Sequence, residues 1–161
     1  MDKLEYEWVK QTRAILLDQC GELTEDEFTK ELNVGFQSIR NTLCHTAGCY
    51  HAWLGSYVLE ATKIPLYSKE EINQMKLEDV RSYFQQADMY MEKVLEQSDE
   101  FLNAEMEKKI PWRTESEVIK ITPRQLLAHA ITHEFHHKGQ MVSMIRMLGY
   151  IPQNTDVLGL D

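Results

Sequence analysis

The chain has 161 residues, of which 43% are hydrophobic and 27% charged, enough for one globular domain with a buried core. Its formal net charge of −9 disfavours binding to a nucleic-acid backbone or to an anionic membrane surface. No stretch has the roughly 18 apolar residues of a membrane span, and the acidic N-terminus lacks the apolar core of a signal peptide. We therefore expect one cytoplasmic domain over residues 1–161, with its three cysteines reduced.

Apolar residues at helical spacing predict three helices in the first two thirds of the chain. The first is expected over residues 4–20, where Leu4 and Trp8 begin the apolar face and a glycine follows as a stop signal. The second is expected over residues 38–60, and the third over residues 77–102. The polar segment between the first two helices is interpreted as a connector.

The pattern changes before a well-delimited fourth helix. Short alternating runs between residues 110 and 121 predict a small hairpin or an extended loop. Thr122 is a natural N-cap, Pro123 suits the first turn and Gln125 completes a capping box, so the last helix is expected to run to Leu148. Four such helices predict an all-α fold, a four-helix bundle, whose interior is the usual place for metal ligands.

The last predicted helix contains the stretch AHAITHEFHHKGQ, residues 128–140, which holds four of the six histidines. At 100° per residue, His129, His133 and His137 fall on one face together with apolar residues, and His136 lies at the edge of that face. Neutral imidazoles one turn apart can converge on a zinc, nickel, copper or iron ion. The alternative interpretation is a polar helix face that happens to be rich in histidine.

The second predicted helix offers a third ligand within SIRNTLCHTAGCYHAWL, residues 38–54. His45 is the candidate, because His51 lies about 120° away around the helix and cannot serve the same site. For His51 we expect a surface or edge position. Cys49 lies one turn beyond His45 and could ligate as a thiolate, but packing as a small core residue is the simpler interpretation.

Residues 133–137 also match H-E-x-x-H, the metalloprotease pattern in which two histidines bind zinc and the glutamate is the general base. Zincins need a third ligand, commonly a histidine or glutamate downstream of the motif. The sequence after His137 contains neither residue type. A metallohydrolase of this type is therefore the weaker interpretation, and Glu134 is the candidate catalytic acid or base that it supplies.

Three segments together resemble the DinB superfamily of damage-inducible-type helical bundles. They are residues 38–54, quoted above, TPRQLLAHAITHEFHHKGQ at 122–140 and LGYIPQNTDVLGLD at 148–161. The resemblance covers nearly the whole chain and implies an up-down-down-up four-helix bundle. Matched residue by residue, the metal-binding pattern of the family falls on His45, His133 and His137. Lys138 stands where the family commonly has arginine, which leaves the three ligands unchanged.

The resemblance further implies one divalent metal ion, most often zinc or nickel, with positions open to water or substrate. It also implies a homodimer and, in some relatives, a reaction with a low-molecular-weight thiol such as bacillithiol, mycothiol or glutathione. We therefore expect a metal-dependent enzyme of the S-transferase type that acts on a small molecule. A non-catalytic metal-binding stress-response protein is the alternative.

Three more polar side chains of the last helix are expected near the metal. His129 and His136 flank the predicted ligands, and they are candidates for contacting either the ligands or a substrate. Gln140 lies close to the same face and is expected to hydrogen-bond a substrate or a water molecule on the metal.

Overall fold

The structure is a computed structural model that describes residues 2–160 and is mostly helical. The first half contains α1 (Lys3–Cys20), α2 (Glu25–Thr29) and α3 (Ile39–Tyr50), which continues as a π-helix over His51–Val58. The second half contains α4 (Lys69–Gln74), α5 (Leu77–Leu95), α6 (Asp99–Asn103), strands β1 (Met106–Lys109) and β2 (Val118–Ile121), α7 (Pro123–Met147) and a 3₁₀ turn (Val157–Gly159). The predicted helical bundle with a hairpin before the last helix is confirmed.

The ends of α1 and α7 follow directly from local sequence. The Asp2 carboxylate accepts a hydrogen bond from the Glu5 N–H at 2.9 Å, which caps the start of α1. In α7 the Thr122 hydroxyl and the Gln125 side chain form a reciprocal capping box. Gly149 follows the last turn with a φ of 94°, a left-handed conformation that glycine adopts without strain. Both predicted helices are therefore confirmed to within one residue.

The other predicted elements differ from the structure in their limits. The helix expected over residues 77–102 is two helices, because the Ser98 hydroxyl accepts from the Phe101 N–H at 3.2 Å and begins α6. The connector contains α2, which Thr24 and Glu27 cap reciprocally. The hairpin starts earlier than expected, and its antiparallel register runs from Met106 opposite Ile121 to Lys109 opposite Val118.

The helix α3 packs against both α5 and α7, so two of its faces are covered. The buried side chains form two apolar clusters, one containing Tyr50, Leu54 and Met91, the other Leu43 and Met144. The apolar face predicted for α1 is only partly buried, because Leu4 and Trp8 are 61% and 40% exposed. Leu16, which the same apolar pattern includes, is buried, and the other buried apolar side chains of α1 include Tyr6, Val9 and Leu17.

No helix within residues 2–160 combines the length and the apolar character that crossing a membrane requires.

Candidate metal centre

Local structure places His45 in the second turn of α3. The Ser38 hydroxyl accepts from the Asn41 N–H at 3.1 Å and caps the helix start. The buried hydroxyls of Thr42 and Thr46 donate to carbonyls one turn earlier, at 2.7 and 2.8 Å, so both hydroxyls are paired within the helix. His45 therefore lies on a rigid helical turn that faces α7.

Three histidine side chains from these two helices come together. The Nε2 atom of His133 lies 3.0 Å from Nε2 of His45 and 3.2 Å from Nε2 of His137. One nitrogen from each ring can be chosen so that all three lie within 4.8 Å of one another. Around a tetrahedral zinc ion with Zn–N bonds of 2.0–2.1 Å, ligand nitrogens lie about 3.3 Å apart. The two short separations are close to this value.

The hydrogen bonds of His137 fix which of its nitrogens is free. Its Nδ1 lies 2.8 Å from Oε1 of Gln140, and because that oxygen is an acceptor, Nδ1 carries the proton and donates. In the neutral ring the proton at Nδ1 leaves a lone pair on Nε2, the atom that faces His133. The amide nitrogen of Gln140 in turn donates to Nε2 of His136 at 3.1 Å. Gln140 thus orients a candidate ligand through its outer nitrogen, as in many metal sites.

The cluster favours uncharged imidazoles. Burial, together with the charges of the neighbouring imidazoles, lowers the pKa of His133 to about 3. Burial, with the charge of His137, lowers the pKa of His45 to about 4. The outer Nδ1 of His133 is buried and has no hydrogen-bond partner within residues 2–160. Neutral rings with converging lone pairs are the state in which histidine binds a metal.

An aromatic side chain from the loop before α3 lies over the cluster. The Phe36 ring stacks on the His45 ring at a centroid distance of 3.8 Å and contacts the His137 ring edge-on at 5.4 Å. The loop approaches α7 closely at Gly35, which has a φ of 51°, and a Cβ there would lie 2.5 Å from Oε1 of Gln140. Phe36 was not predicted as a site residue, because its position depends on the path of a loop between helices.

The other predicted neighbours lie beside the three histidines without joining them. His129 is exposed, with its ring centroid 5.3 Å from that of His133 and 6.1 Å from that of Trp53. His136 is also exposed and bonds Gln140, as described above. His129 therefore lies near both His133 and Trp53, and His136 accepts a hydrogen bond from Gln140.

Glu134 lies away from the three rings, in a buried ion pair. Its carboxylate accepts two bonds from the Arg13 guanidinium, both at 3.0 Å, and one from the Tyr50 hydroxyl at 2.5 Å. Arg13 also donates to Asp88 at 2.6 Å, and Tyr6 bonds the same carboxylate. The Arg13 guanidinium lies over Tyr50 of one apolar cluster and over Phe84 of the other. The Glu134 carboxylate thus joins α7 to α1 through a buried ion pair. This position does not support the predicted acid–base role.

The expectation that His51 lies at the surface is wrong. It is 4% exposed, and its Nε2 lies 2.9 Å from the Tyr83 carbonyl on α5. The face 120° from His45 is covered because α3 packs against α5 as well as α7. His51 takes no part in the cluster, as its helical phase predicted.

Cys49 is a buried free thiol, and burial raises its pKa to about 12, so it suits core packing better than ligation.

A helical bundle with three converging histidines, one from a central helix and two from the last, defines a class of candidate metal-binding bundles. The sequence profile of the DinB family matches residues 1–161, so the chain belongs to the DinB family. Two similar proteins come from Bacillus subtilis (strain 168). Protein DinB is 24% identical over 155 residues, covering 94% of this chain and 88% of that protein. The uncharacterized protein YizA is 26% identical over 164 residues, covering 99% and 94%.

Proposed function

We propose that the chain holds one divalent metal ion, zinc or nickel, through His45, His133 and His137. We further propose that it is a metal-dependent enzyme which joins a low-molecular-weight thiol to a small electrophile. The observation that carries the proposal is the approach of His133 Nε2 to the Nε2 atoms of both other rings, at 3.0 and 3.2 Å. Three protein ligands are the usual number in catalytic zinc sites, which keep a position open.

When bound by His45, His133 and His137, a divalent ion would lower the pKa of a thiol or of a water molecule and so supply a nucleophile near neutral pH. The residues of the chain prepare the site for this. Gln140 keeps the proton of His137 on Nδ1. The low pKa values of His45 and His133 keep both rings in the uncharged form, in which one ring nitrogen has a free lone pair. Phe36 stacks on one side of the His45 ring.

Direct turnover tests the proposal. The protein is stripped with a chelator, reloaded with zinc or nickel, and mixed with glutathione or cysteine and 1-chloro-2,4-dinitrobenzene. The thiol loses its proton, its sulfur forms the new C–S bond and chloride leaves, so the absorbance of the thioether reports the rate. We expect a rate that depends on added metal and is lost in His133→Ala. No metal-dependent rate with any common thiol would contradict the enzyme proposal.

A second candidate is a metal-binding protein without catalysis. It is favoured by the fact that the cluster joins α3 to α7, so a metal there would cross-link two helices of the bundle. The two candidates agree on metal content and differ in turnover. A fully loaded protein that is stabilised by metal and inactive with all thiols would support this second candidate.

A further inference from the structure

The loop before α3 contains a four-residue turn, residues 34–37, that contacts the histidine cluster. The Gln37 N–H donates to the Val34 carbonyl at 2.9 Å and closes this turn. Gly35 and Gln37 both have left-handed backbone conformations, with φ values of 51° and 72°. Phe36 lies between them and places its ring against one of the three clustered imidazoles. The 34–37 turn is therefore a defined local structure that reaches the cluster from outside the two helices that supply the histidines.

The candidate ligands differ in what orients their rings. His137 has a hydrogen bond on its outer nitrogen, from Nδ1 to Oε1 of Gln140. For His45, no group in the described part of the chain hydrogen-bonds the outer nitrogen Nδ1. The shortest ring contact of His45 is with Phe36, at a centroid distance of 3.8 Å and only 25° from parallel, whereas the other two clustered imidazoles lie 4.8 Å away. Stacking thus restrains the His45 ring as a hydrogen bond restrains the His137 ring.

This stacking favours the metal-bound form of His45 over the free form for two reasons. It holds the plane of the imidazole before binding, so less rotational freedom is lost when the ring becomes a ligand. It also attracts the imidazole more strongly once a cation on Nε2 has drawn electron density from the ring, because the face of a phenyl ring is electron-rich. An aliphatic side chain at position 36 has neither a flat surface nor an electron-rich face.

The same turn reaches His137 through Gln140. A Cβ on Gly35 would lie 2.5 Å from Oε1 and 3.1 Å from Cδ of Gln140, so the glycine backbone packs directly against that amide group. The same Oε1 accepts the hydrogen bond from Nδ1 of His137 at 2.8 Å. Because Oε1 is at the end of a flexible side chain, a larger residue at position 35 would displace the amide and break this bond.

We propose that the 34–37 turn is a positioning element of the metal centre. Phe36 orients the ring of His45 directly, and Gly35 leaves the space in which Gln140 orients His137. One short turn thereby acts on a ligand from α3 and on a ligand from α7. The inference rests on the proposed metal centre, but it concerns ring orientation and metal affinity and does not depend on turnover.

The first test measures the orientation of the His45 ring in the full chain without metal. Stacking on Phe36 exposes the carbon-bound ring protons of His45 to the ring current of the phenyl group, which moves their NMR signals. Carbon-edited NMR of histidine-labelled protein records these signals, and His45→Ala identifies them. We expect Phe36→Tyr to retain the displaced signals and Phe36→Leu to lose them. Signals of His45 that are the same in Phe36→Leu as in the wild type would refute the stacking role.

The second test measures zinc affinity by competition with a chromophoric chelator. Phe36→Leu is expected to weaken zinc binding by about 3- to 10-fold, the range that the contribution of one aromatic pair predicts. Phe36→Tyr keeps the aromatic face and is expected to bind zinc as the wild type does. Trp8→Leu is the control, because Trp8 is 40% exposed, close to the 42% of Phe36, and has no ring contact with a histidine in the described part of the chain. Equal zinc affinity of Phe36→Leu and the wild type would contradict the proposal.

A double-mutant cycle tests the route through Gln140. Gly35→Ala alone is expected to weaken zinc binding by about tenfold, and it should add little to Gln140→Leu, because both changes remove the same hydrogen bond. Gly149→Ala controls for backbone strain, since Gly149 also has a left-handed φ, of 94°, but nothing lies within 4 Å of an added Cβ. Effects of Gly35→Ala and Gln140→Leu that simply multiply would rule out this route. Phe36 is partly exposed, so its variants keep the test decisive should Gly35→Ala fold poorly.

The outcomes separate this inference from the proposed function. A wild-type protein that binds zinc with an affinity that no change in the 34–37 turn alters would overturn the positioning role and leave the metal centre standing. A wild-type protein that binds no zinc or nickel would overturn the metal centre and the positioning role together. Zinc affinity that falls in Phe36→Leu and Gly35→Ala, and in neither control, would establish the positioning role whether or not the loaded protein turns over a thiol.

Discussion

Replacing Glu134 by glutamine tests whether the glutamate of the H-E-x-x-H pattern is structural. The substitution keeps the size of the side chain and removes its charge. Arg13 is then left 4% exposed with Asp88 as its only anionic partner within residues 2–160, and the two bonds at 3.0 Å lose the acceptor charge that strengthens them.

Removing one member of a buried ion pair costs about 3–5 kcal/mol, and glutamine, which still accepts one hydrogen bond, should fall near about 3 kcal/mol. For a chain of this size, 1 kcal/mol corresponds to about 2–4 °C in Tm, so we expect a decrease of about 6–12 °C. Thermal unfolding followed by circular dichroism measures it. Glu107→Gln is the matched control, since its pair with Lys120 is more than half exposed and should change Tm by no more than about 2 °C.

The same variant addresses catalysis. If Glu134 only joins α1 to α7, Glu134→Gln retains metal and turns over normally below its lowered Tm. A variant as stable as the wild type would refute the structural assignment, and full stability with lost turnover would establish the acid–base role that the motif predicts.

Three further predictions concern the histidine cluster. Gln140→Leu removes the acceptor that orients His137 and should weaken metal binding about 10- to 100-fold, as measured by competition with a chromophoric chelator; unchanged affinity would show that Gln140 does not position the ring. His51→Ala should keep one metal per chain while losing stability, because the buried ring bonds the Tyr83 carbonyl; metal loss would place His51 in the site. Adding metal at about 100 times its Kd should stabilise the protein by about 2.7 kcal/mol, or roughly 5–11 °C in Tm, and EDTA should reverse this; a Tm insensitive to both would exclude native-state metal binding.

Local rules were enough to predict the long helices and to bring two of the clustered histidines together. Capping chemistry located the ends of α7, and four-residue spacing brought His133 and His137 onto one face. The same capping rule, applied to Thr24 and Glu27 or to Ser68 and Glu71, would have found α2 and α4. These helices of five and six residues lack the repeated apolar pattern that reveals a long helix.

Other features depend on contacts between elements and could not be predicted locally. His51 is buried because α5 covers a second face of α3, which the phase of α3 alone does not reveal. Glu134 stands at the position that the general base occupies in the H-E-x-x-H pattern. The pattern does not reveal that Arg13, 121 residues earlier in the sequence, forms a buried ion pair with it. Phe36 reaches His45 from a loop whose path is set by left-handed residues at Gly35 and Gln37.

Metal stoichiometry in untagged protein, determined by elemental analysis after equilibration with zinc or nickel and removal of unbound ion, tests the central claim most directly. We predict one ion per chain in the wild type and a small fraction of that in His45→Ala, whose ring comes from a different helix from the other two. A folded His45→Ala protein that still holds one ion per chain would contradict a centre built from α3 and α7 together.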